Sequence, residues 1–307
     1  MATKRTERQP QLVTPQIEEI LKAVHFYRYV TALDITHLFY SPTVLPYVRQ
    51  RLTHLAGGRD FAGNQFLYRF PLPSTSAGNP QRVYTLGSRG RAYLLDELGL
   101  PVEWYYRPHK VRDMGYSQML HNIILTKVLV AAQKWSGKHN NFDLLQTRIS
   151  YELAERPSIL TIAHAGETIT LKVIPDAWLL FNRLSDGERF PILLEIDRGT
   201  QYQKAFKNHV RSRIEYLRCG AYRETFGTEA VIIAYATTGA TQAMRETRCK
   251  TLCLWTREVL EDMLLENWAS VFRFHPLAIE DIYNTLVFEK AVWYQPSSSS
   301  PLPLFGA

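Results

Sequence analysis

Three carboxylates carry the clearest chemical signal in the chain. Pro175-Asp176 is followed, after 18 intervening residues, by Glu195-Ile196-Asp197. The run from Phe190 to Asp197 is apolar up to Glu195 and reads as a strand. Glu195 and Asp197 are two apart on it, so their side chains share a face. A hairpin that brings Asp176 alongside would gather all three acids at one point. Acids at the end of an apolar strand are costly to bury unless they are paired or bind a cation. A set of oxygen ligands suits Mg²⁺ or Mn²⁺ rather than zinc. A basic helix from about Gln201 to Arg218 follows, with Lys204, Lys207, Arg211 and Arg218 on one face. Phe206, Val210, Ile214 and Leu217 occupy the other. Metal-bound carboxylates beside cations are what phosphodiester hydrolysis needs. In that reading Asp176, Glu195 and Asp197 hold the metal, and Lys204 or Lys207 offsets charge in the transition state. The same residues also have plain structural roles available. Asp176 and Asp197 can cap turns, Glu195 can pair with Arg198 or Arg211, and His121 can be a packing histidine.

A second set of residues points to nucleic acid. The formal net charge is +7, and it is unevenly spread. Residues 1–113 hold 15 Lys/Arg against 9 Asp/Glu, whereas residues 114–307 are nearly balanced. A basic module joined to a neutral one is the electrostatic footprint of a nucleic-acid anchor. In the basic part, Thr14-Pro15 is a helix start, with Ile17, Ile20, Leu21 and Val24 as its apolar face. Thr31 and Asp34 form a capping-box pattern for a short second helix to about Phe39. Ser41 to Pro46 is a turn. A third helix then runs to Leu55, with Leu45, Val48, Leu52 and Leu55 buried and Gly57-Gly58 ending it. Its other face offers Tyr47, Arg49, Gln50, Arg51, Thr53 and His54. Two strand-like runs, 65–70 and 81–86, flank a Pro/Ser/Gly-rich tip and carry Arg69 and Arg82. A closing helix spans Ser88 to Leu98. The pattern predicts a winged helix-turn-helix over residues 12–100, with the third helix in the major groove of double-stranded DNA and the hairpin on its backbone. Arg and Gln suit base edges there, and Tyr, Thr and His suit phosphates or stacking. The competing readings are a solvated helix face and a protein-docking module.

The rest of the chain must position the acids. Residues 101–114 read as a linker, and a long helix runs from about Tyr116 to Trp135. Strands are expected at Phe142–Tyr151, Thr168–Phe181, Phe190–Asp197 and Ala230–Thr237, then a helix from Thr241 and a strand near Thr251–Thr256. This order predicts an α/β (α+β) mixed-sheet domain over 115–290, with disordered tails at 1–11 and 291–307. Three cysteines, Cys219, Cys249 and Cys253, make no disulfide framework and suit a reducing compartment. The polar first ten residues suggest no secretory signal, and no apolar run nears the ~18 residues of a membrane span. A cytoplasmic protein with no membrane partner is therefore expected. Phosphate-binding loops, dinucleotide fingerprints, His-Glu-x-x-His and Gly-x-Ser-x-Gly are all missing from the sequence, which argues against the chemistries they serve.

The Pro175-Asp176 and Glu195 pattern resembles the PD-(D/E)xK restriction-endonuclease-like nucleases. That superfamily has lysine two residues after the second acid, where this chain has Asp197. The resemblance implies either that Lys204 or Lys207 substitutes or that cleavage has been lost. Across about residues 15–240 the chain also resembles the replication-relaxation family. The matching pieces are Arg51-Leu-Thr-His-Leu55, Val83-Tyr-Thr-Leu-Gly-Ser-Arg-Gly90, the His121-Asn122 helix, Pro175-Asp176-Ala177 and Leu194-Glu-Ile-Asp-Arg-Gly-Thr200. This resemblance implies a DNA-associated protein of a plasmid or other mobile element, with replication, transposition or defence proteins as further partners. Two functions are consistent with it. One is a Mg²⁺- or Mn²⁺-dependent endonuclease targeted by its winged helix. The other is a non-catalytic DNA-binding factor whose C-terminal domain docks or dimerises.

Overall fold

Thr14 opens the first helix as the sequence predicts. Its hydroxyl accepts from Ile17 N at 3.4 Å, and Pro15 takes the first helical position. The computed structural model describes residues 13–57, 65–72, 81–102, 114–164, 167–283 and 287–305. The expected tail at 1–11, most of the hairpin tip and most of the 101–114 linker lie outside the described residues. The chain divides into two units, Met1–Ile123 and Ile124–Ala307. The class is mixed α+β, as expected.

In the first unit, α1 (Pro15–Tyr27) is followed by a two-residue strand, β1 (Val30–Thr31), and α2 (Ala32–Phe39). The capping box at α2 forms: Thr31 N donates to Asp34 Oδ2 at 2.6 Å, and Asp34 N to Thr31 Oγ1 at 3.3 Å. Both residues are buried, so each partner satisfies a backbone donor that water does not reach. A short 3₁₀ turn, Pro42–Val44, leads into α3 (Leu45–Leu55). Strands β2 (Leu67–Pro71) and β3 (Arg82–Leu86) pair antiparallel, and β1 joins on the far side of β3. β1 is the one element here that the sequence did not predict, since two residues carry no periodicity. The closing helix is α4 (Ser88–Ala92), continued by a π turn over Tyr93–Glu97. Ile17, Ile20, Leu21, Val24, Val48, Leu52 and Leu55 are all buried. Each such side chain contributes roughly 1.5–3 kcal/mol relative to exposure. Gly87 and Gly90 lie against the backbone of Gln65 and Phe66, where an added Cβ would come within 2.3 Å of a carbonyl oxygen.

The second unit is built on a five-stranded mixed sheet in the order β10-β9-β8-β7-β4. Its strands are β4 (Phe142–Ile149), β7 (Ala177–Arg183), β8 (Arg189–Asp197), β9 (Ile232–Thr237) and β10 (Phe272–Pro276). β8, β9 and β10 run parallel, whereas β4 and β7 are antiparallel to their neighbours. A separate hairpin pairs β5 (Ser158–His164) with β6 (Glu167–Val173). The helices are the part of α5 (Tyr116–Ser136) from Ile124 onward, α6 (Ser150–Glu155), α7 (Gln203–Arg218), α8 (Ala221–Phe226) and α9 (Gln242–Asp262). Phe206, Val210 and Ile214 of α7 are wholly buried in one core with Trp178, Leu193, Ile233 and Tyr235 of the sheet.

Four expectations change. The single strand Thr168–Phe181 is two strands in two sheets, broken at Ile174-Pro175-Asp176, where proline supplies no N–H for a ladder. The strand Phe142–Tyr151 ends at Ile149 and turns into α6, whose first amide Ser150 N is bonded instead by Asp176 O at 2.9 Å. The strand near Thr251–Thr256 is the middle of α9. Arg245, Cys249, Leu252, Cys253, Thr256, Val259 and Leu260 are buried there at helical spacing. Residues 291–305 are not a disordered tail. Trp293 bridges Leu302, and Trp293 Nε1 donates to Val287 O at 2.7 Å. Phe305 is buried among Trp135, Phe142, Phe181 and Phe190, with ring centroids 4.8–5.5 Å away. The aromatic anchors hold the Ser/Pro-rich loop between them.

Candidate functional site

The first candidate is a groove in the first unit, between α2, α3 and the β2–β3 hairpin. Its volume is about 460 Å³. Arg49 and Thr53 line it from α3, and Arg69, Gln81, Arg82 and Tyr84 from the hairpin, with Thr31, Ala32, Leu33 and Leu45 at its base. The strand register explains the gathering. Arg69 lies directly opposite Tyr84, and Arg82 is two residues from Tyr84, so all three share one face of the hairpin. The opposite face sends Val83 and Phe70 into a cluster with Leu72, Met119 and Ile123. Three guanidinium groups thus meet in a concavity whose described lining contains no carboxylate.

The expected DNA-facing residues of α3 divide into three groups. Arg49 and Thr53, four apart, face the groove. Thr53 also bonds back to Arg49 O at 2.8 Å. Tyr47, Gln50 and His54 are exposed along another line at helical spacing, and Tyr47 makes an edge contact with Tyr40 at 6.4 Å. Arg51 is a correction. It is half-buried, Nη2 donates to Thr14 Oγ1 at 3.3 Å, and Nε is buried without a partner. It sits three residues after buried Val48 and next to buried Leu52, so it flanks the core stripe and holds the start of α1.

The second candidate is the carboxylate set. Asp176, Glu195 and Asp197 do come together, at the ends of β7 and β8, through the pairing of Ala177 with Leu194. Each is already engaged. Glu195 is 4 % exposed and accepts from Arg213 Nε at 2.6 Å. His209 Nε2 stands 3.4 Å from the same oxygen. Arg213 Nη2 also donates to Ile174 O at 3.3 Å. Asp197 accepts two bonds of 3.0 Å from Arg248, which also donates to Gln201 O and lies over the Trp255 ring. Asp176 Oδ2 accepts from Ile196 N at 2.8 Å. Burial works against ionisation of Glu195, but the adjacent Arg213 and His209 outweigh it and hold the carboxyl down at about 2. Burial likewise pushes the Tyr235 phenol up, helped by Glu195 beside it.

The cations brought to these acids are therefore Arg213 and Arg248, and not the expected lysines. Lys207 pairs with Glu258 of α9 at 2.5 Å, and Lys204 is exposed. Arg211, expected as a partner of Glu195, instead bonds Asp262 at 2.8 Å. A signal for Arg213 was present: it falls three residues after Val210 and seven after Phe206, on the buried face of α7. The cations already paired with these acids stand where a divalent cation would compete with them. Both oxygens of Asp197 and Oε1 of Glu195 accept from arginines and Oδ2 of Asp176 from a backbone amide, and no three His, Cys, Asp or Glu side chains among the described residues form a ligand group. No helix among the described residues is long and apolar enough to cross a membrane. Comparison of the chain with family models, curated proteins and solved structures gave no match.

Proposed function

We propose that this is a duplex-DNA-binding protein whose first unit acts as a winged helix and whose second unit is a non-hydrolytic docking module. The observation that carries the reading is the groove lined by Arg49 from α3 and by Arg69 and Arg82 from the hairpin. A concave set of guanidinium groups beside an exposed helix face suits the phosphate backbone on one side and base edges on the other. The charge excess of residues 1–113 supports the same reading. The likeness to the replication-relaxation family makes a plasmid or other mobile element the natural setting, with replication, transposition or defence proteins as docking partners.

The engagement of Glu195 by Arg213 and of Asp197 by Arg248 favours the non-catalytic reading of the second unit over a Mg²⁺- or Mn²⁺-dependent endonuclease. The test is incubation of the full chain with supercoiled plasmid and Mg²⁺ or Mn²⁺, beside a band-shift assay on the same DNA. Binding without nicking is expected. Metal-dependent nicking lost in Glu195→Gln would restore the nuclease reading.

A further inference from the structure

We propose that the C-terminal strap is an acid-released cover: protonation of His275 lifts the loop from Val292 to Leu302 off the sheet while the rest of the second unit stays folded. This inference is independent of the DNA-binding reading and starts from the surroundings of one side chain. His275 lies on β10, is 6 % exposed, and its Nδ1 is buried without a partner. Its ring packs against Trp293 of the strap, with centroids 5.0 Å apart. Ala131 of α5, Ala234 and Ala236 of β9 and Leu304 of the strap help to wall a void of about 10 Å³ beside the two rings. Among its described lining residues His275 alone is titratable. The void has room for about one water, and a buried water needs roughly two to four polar partners. Trp293 Nε1 is already committed, donating to Val287 O at 2.7 Å.

An imidazolium at this place has neither water nor a carboxylate to meet it. Arg245 of α9 carries the same sign and disfavours it further. Glu280 stands 3.8 Å from Arg245 Nη1, on the side of that arginine, and is itself exposed. Lys127 and Lys134 of α5 lie over the Tyr283 ring, and Glu246 of α9 faces Tyr294 of the strap. Burial, with Arg245 adding to it, holds the imidazole down at about 4, against 6.5 in water. Relief must come from whichever neighbour yields first. β10 is paired with β9 along its whole length. The strap meets β10 in one bridge, in which Phe274 N donates to Tyr294 O at 2.9 Å and Tyr294 N to Phe274 O at 2.8 Å. Trp293 and Leu302 bond to each other across the base of the loop, so the loop can lift as a unit. A tie from Arg257 Nε to Pro296 O at 3.1 Å is released with it, and Phe305 keeps its aromatic neighbours. Lifting gives His275 water and uncovers the outer edge of β10. The open-state value is the higher one, so opening gains as pH falls below 6.5.

Native-state hydrogen exchange on the full chain tests this, because the amides of Phe274 and Tyr294 are both freed when the loop lifts. Their opening constant, corrected for the intrinsic exchange rate at each pH, is expected to rise about twentyfold from pH 7 to pH 5. At both pH values these two amides are expected to be far less protected than those of the β8–β9 ladder, which open only with the whole unit. In His275→Gln and in His275→Phe the ratio between the two pH values is expected to fall close to one. Because a ratio is read, a variant that is merely less stable still answers, and the parent protein answers by itself if neither variant folds. No rise in the parent would overturn the proposal, as would the same rise in the two variants. Protection of Phe274 and Tyr294 equal to that of the β8–β9 ladder would also overturn it, since the strap would then open only by unfolding of the unit.

Discussion

The two units use arginine in opposite ways. In the first, Arg49, Arg69 and Arg82 line an open recess that has no carboxylate in its described wall. In the second, Arg213 and Arg248 are turned onto Glu195 and Asp197 at the C-terminal end of β8, and Arg213 is itself 5 % exposed. An exposed arginine in an open recess, as Arg49 and Arg82 are, keeps its hydration and can meet an outside anion. An arginine buried against a carboxylate has lost its hydration and must keep its partner. The first arrangement recruits; the second fastens α7 and α9 to β8. A count of basic residues near acids, taken from sequence, does not separate the two.

The largest expected effect of this contrast is on stability. Arg213→Ala leaves Glu195 buried and unpaired, and is expected to destabilise the second unit by about 3–5 kcal/mol in urea denaturation. Replacing Glu195 and Arg213 together by apolar residues of similar volume should recover most of that loss. If Arg213→Ala is as mild as a surface change, the pair is not buried as described. A second large effect belongs to the C-terminal strap. Phe305→Ala is expected to cost about 3 kcal/mol, because it empties a position ringed by four aromatic side chains. A melting temperature equal to that of the parent would return 291–305 to the status of a loose tail.

Acid is expected to act on the second unit through His275. It is buried beside Trp293, and burial together with nearby Arg245 lowers it to about 4 from 6.5. Its folded-state value lies below the unfolded one, so the contribution is complete above pH 6.5 and is lost as pH falls towards 4. The expected loss is about 3 kcal/mol on an order-of-magnitude basis. Glu195, held at about 2 against an ordinary 4.5, adds a second loss at lower pH by the same sign. Stability measured against pH in His275→Phe should be flatter between 4 and 6.5. The same slope in both proteins would assign the acid sensitivity elsewhere. The smallest expected effect is Arg82→Ala on stability, within about 0.5 kcal/mol, because the residue is exposed. That near-silence, set against the Arg213→Ala loss, is the contrast in its sharpest form.

The readable parts of the sequence were those whose physics is local. Thr14-Pro15, the Thr31–Asp34 capping box and the apolar stripe of α3 specify their helices within a few residues, and they fold as expected. The convergence of Asp176 with Glu195 was legible as well, because the two-residue spacing puts Glu195 and Asp197 on one face of β8 and a hairpin brings Asp176 alongside, but the break at Pro175 between β6 and β7 was not. What failed depended on distant partners. β1 exists only because β3 pairs with it, and β10 through β9 on one side and a bridge to Tyr294 on the other. The Ser/Pro-rich segment looks unstructured until Trp293, Leu302 and Phe305 find neighbours elsewhere in the unit. The residue types put Arg51 on the DNA-facing side of α3, although it stands between buried Val48 and Leu52 on its helix, and they did not single out Arg213, although it falls on the buried face of α7.

The measurement that bears most directly on the account is the affinity of the full chain for duplex DNA against salt, with Glu195→Gln and the Arg49→Ala, Arg82→Ala double variant beside it. The account predicts a steep linear fall of log K with log salt. That fall should persist in Glu195→Gln and be shallower by about two units in the double variant. A double variant that matches the parent, or a Glu195→Gln protein that folds and has lost its affinity for DNA, would contradict it.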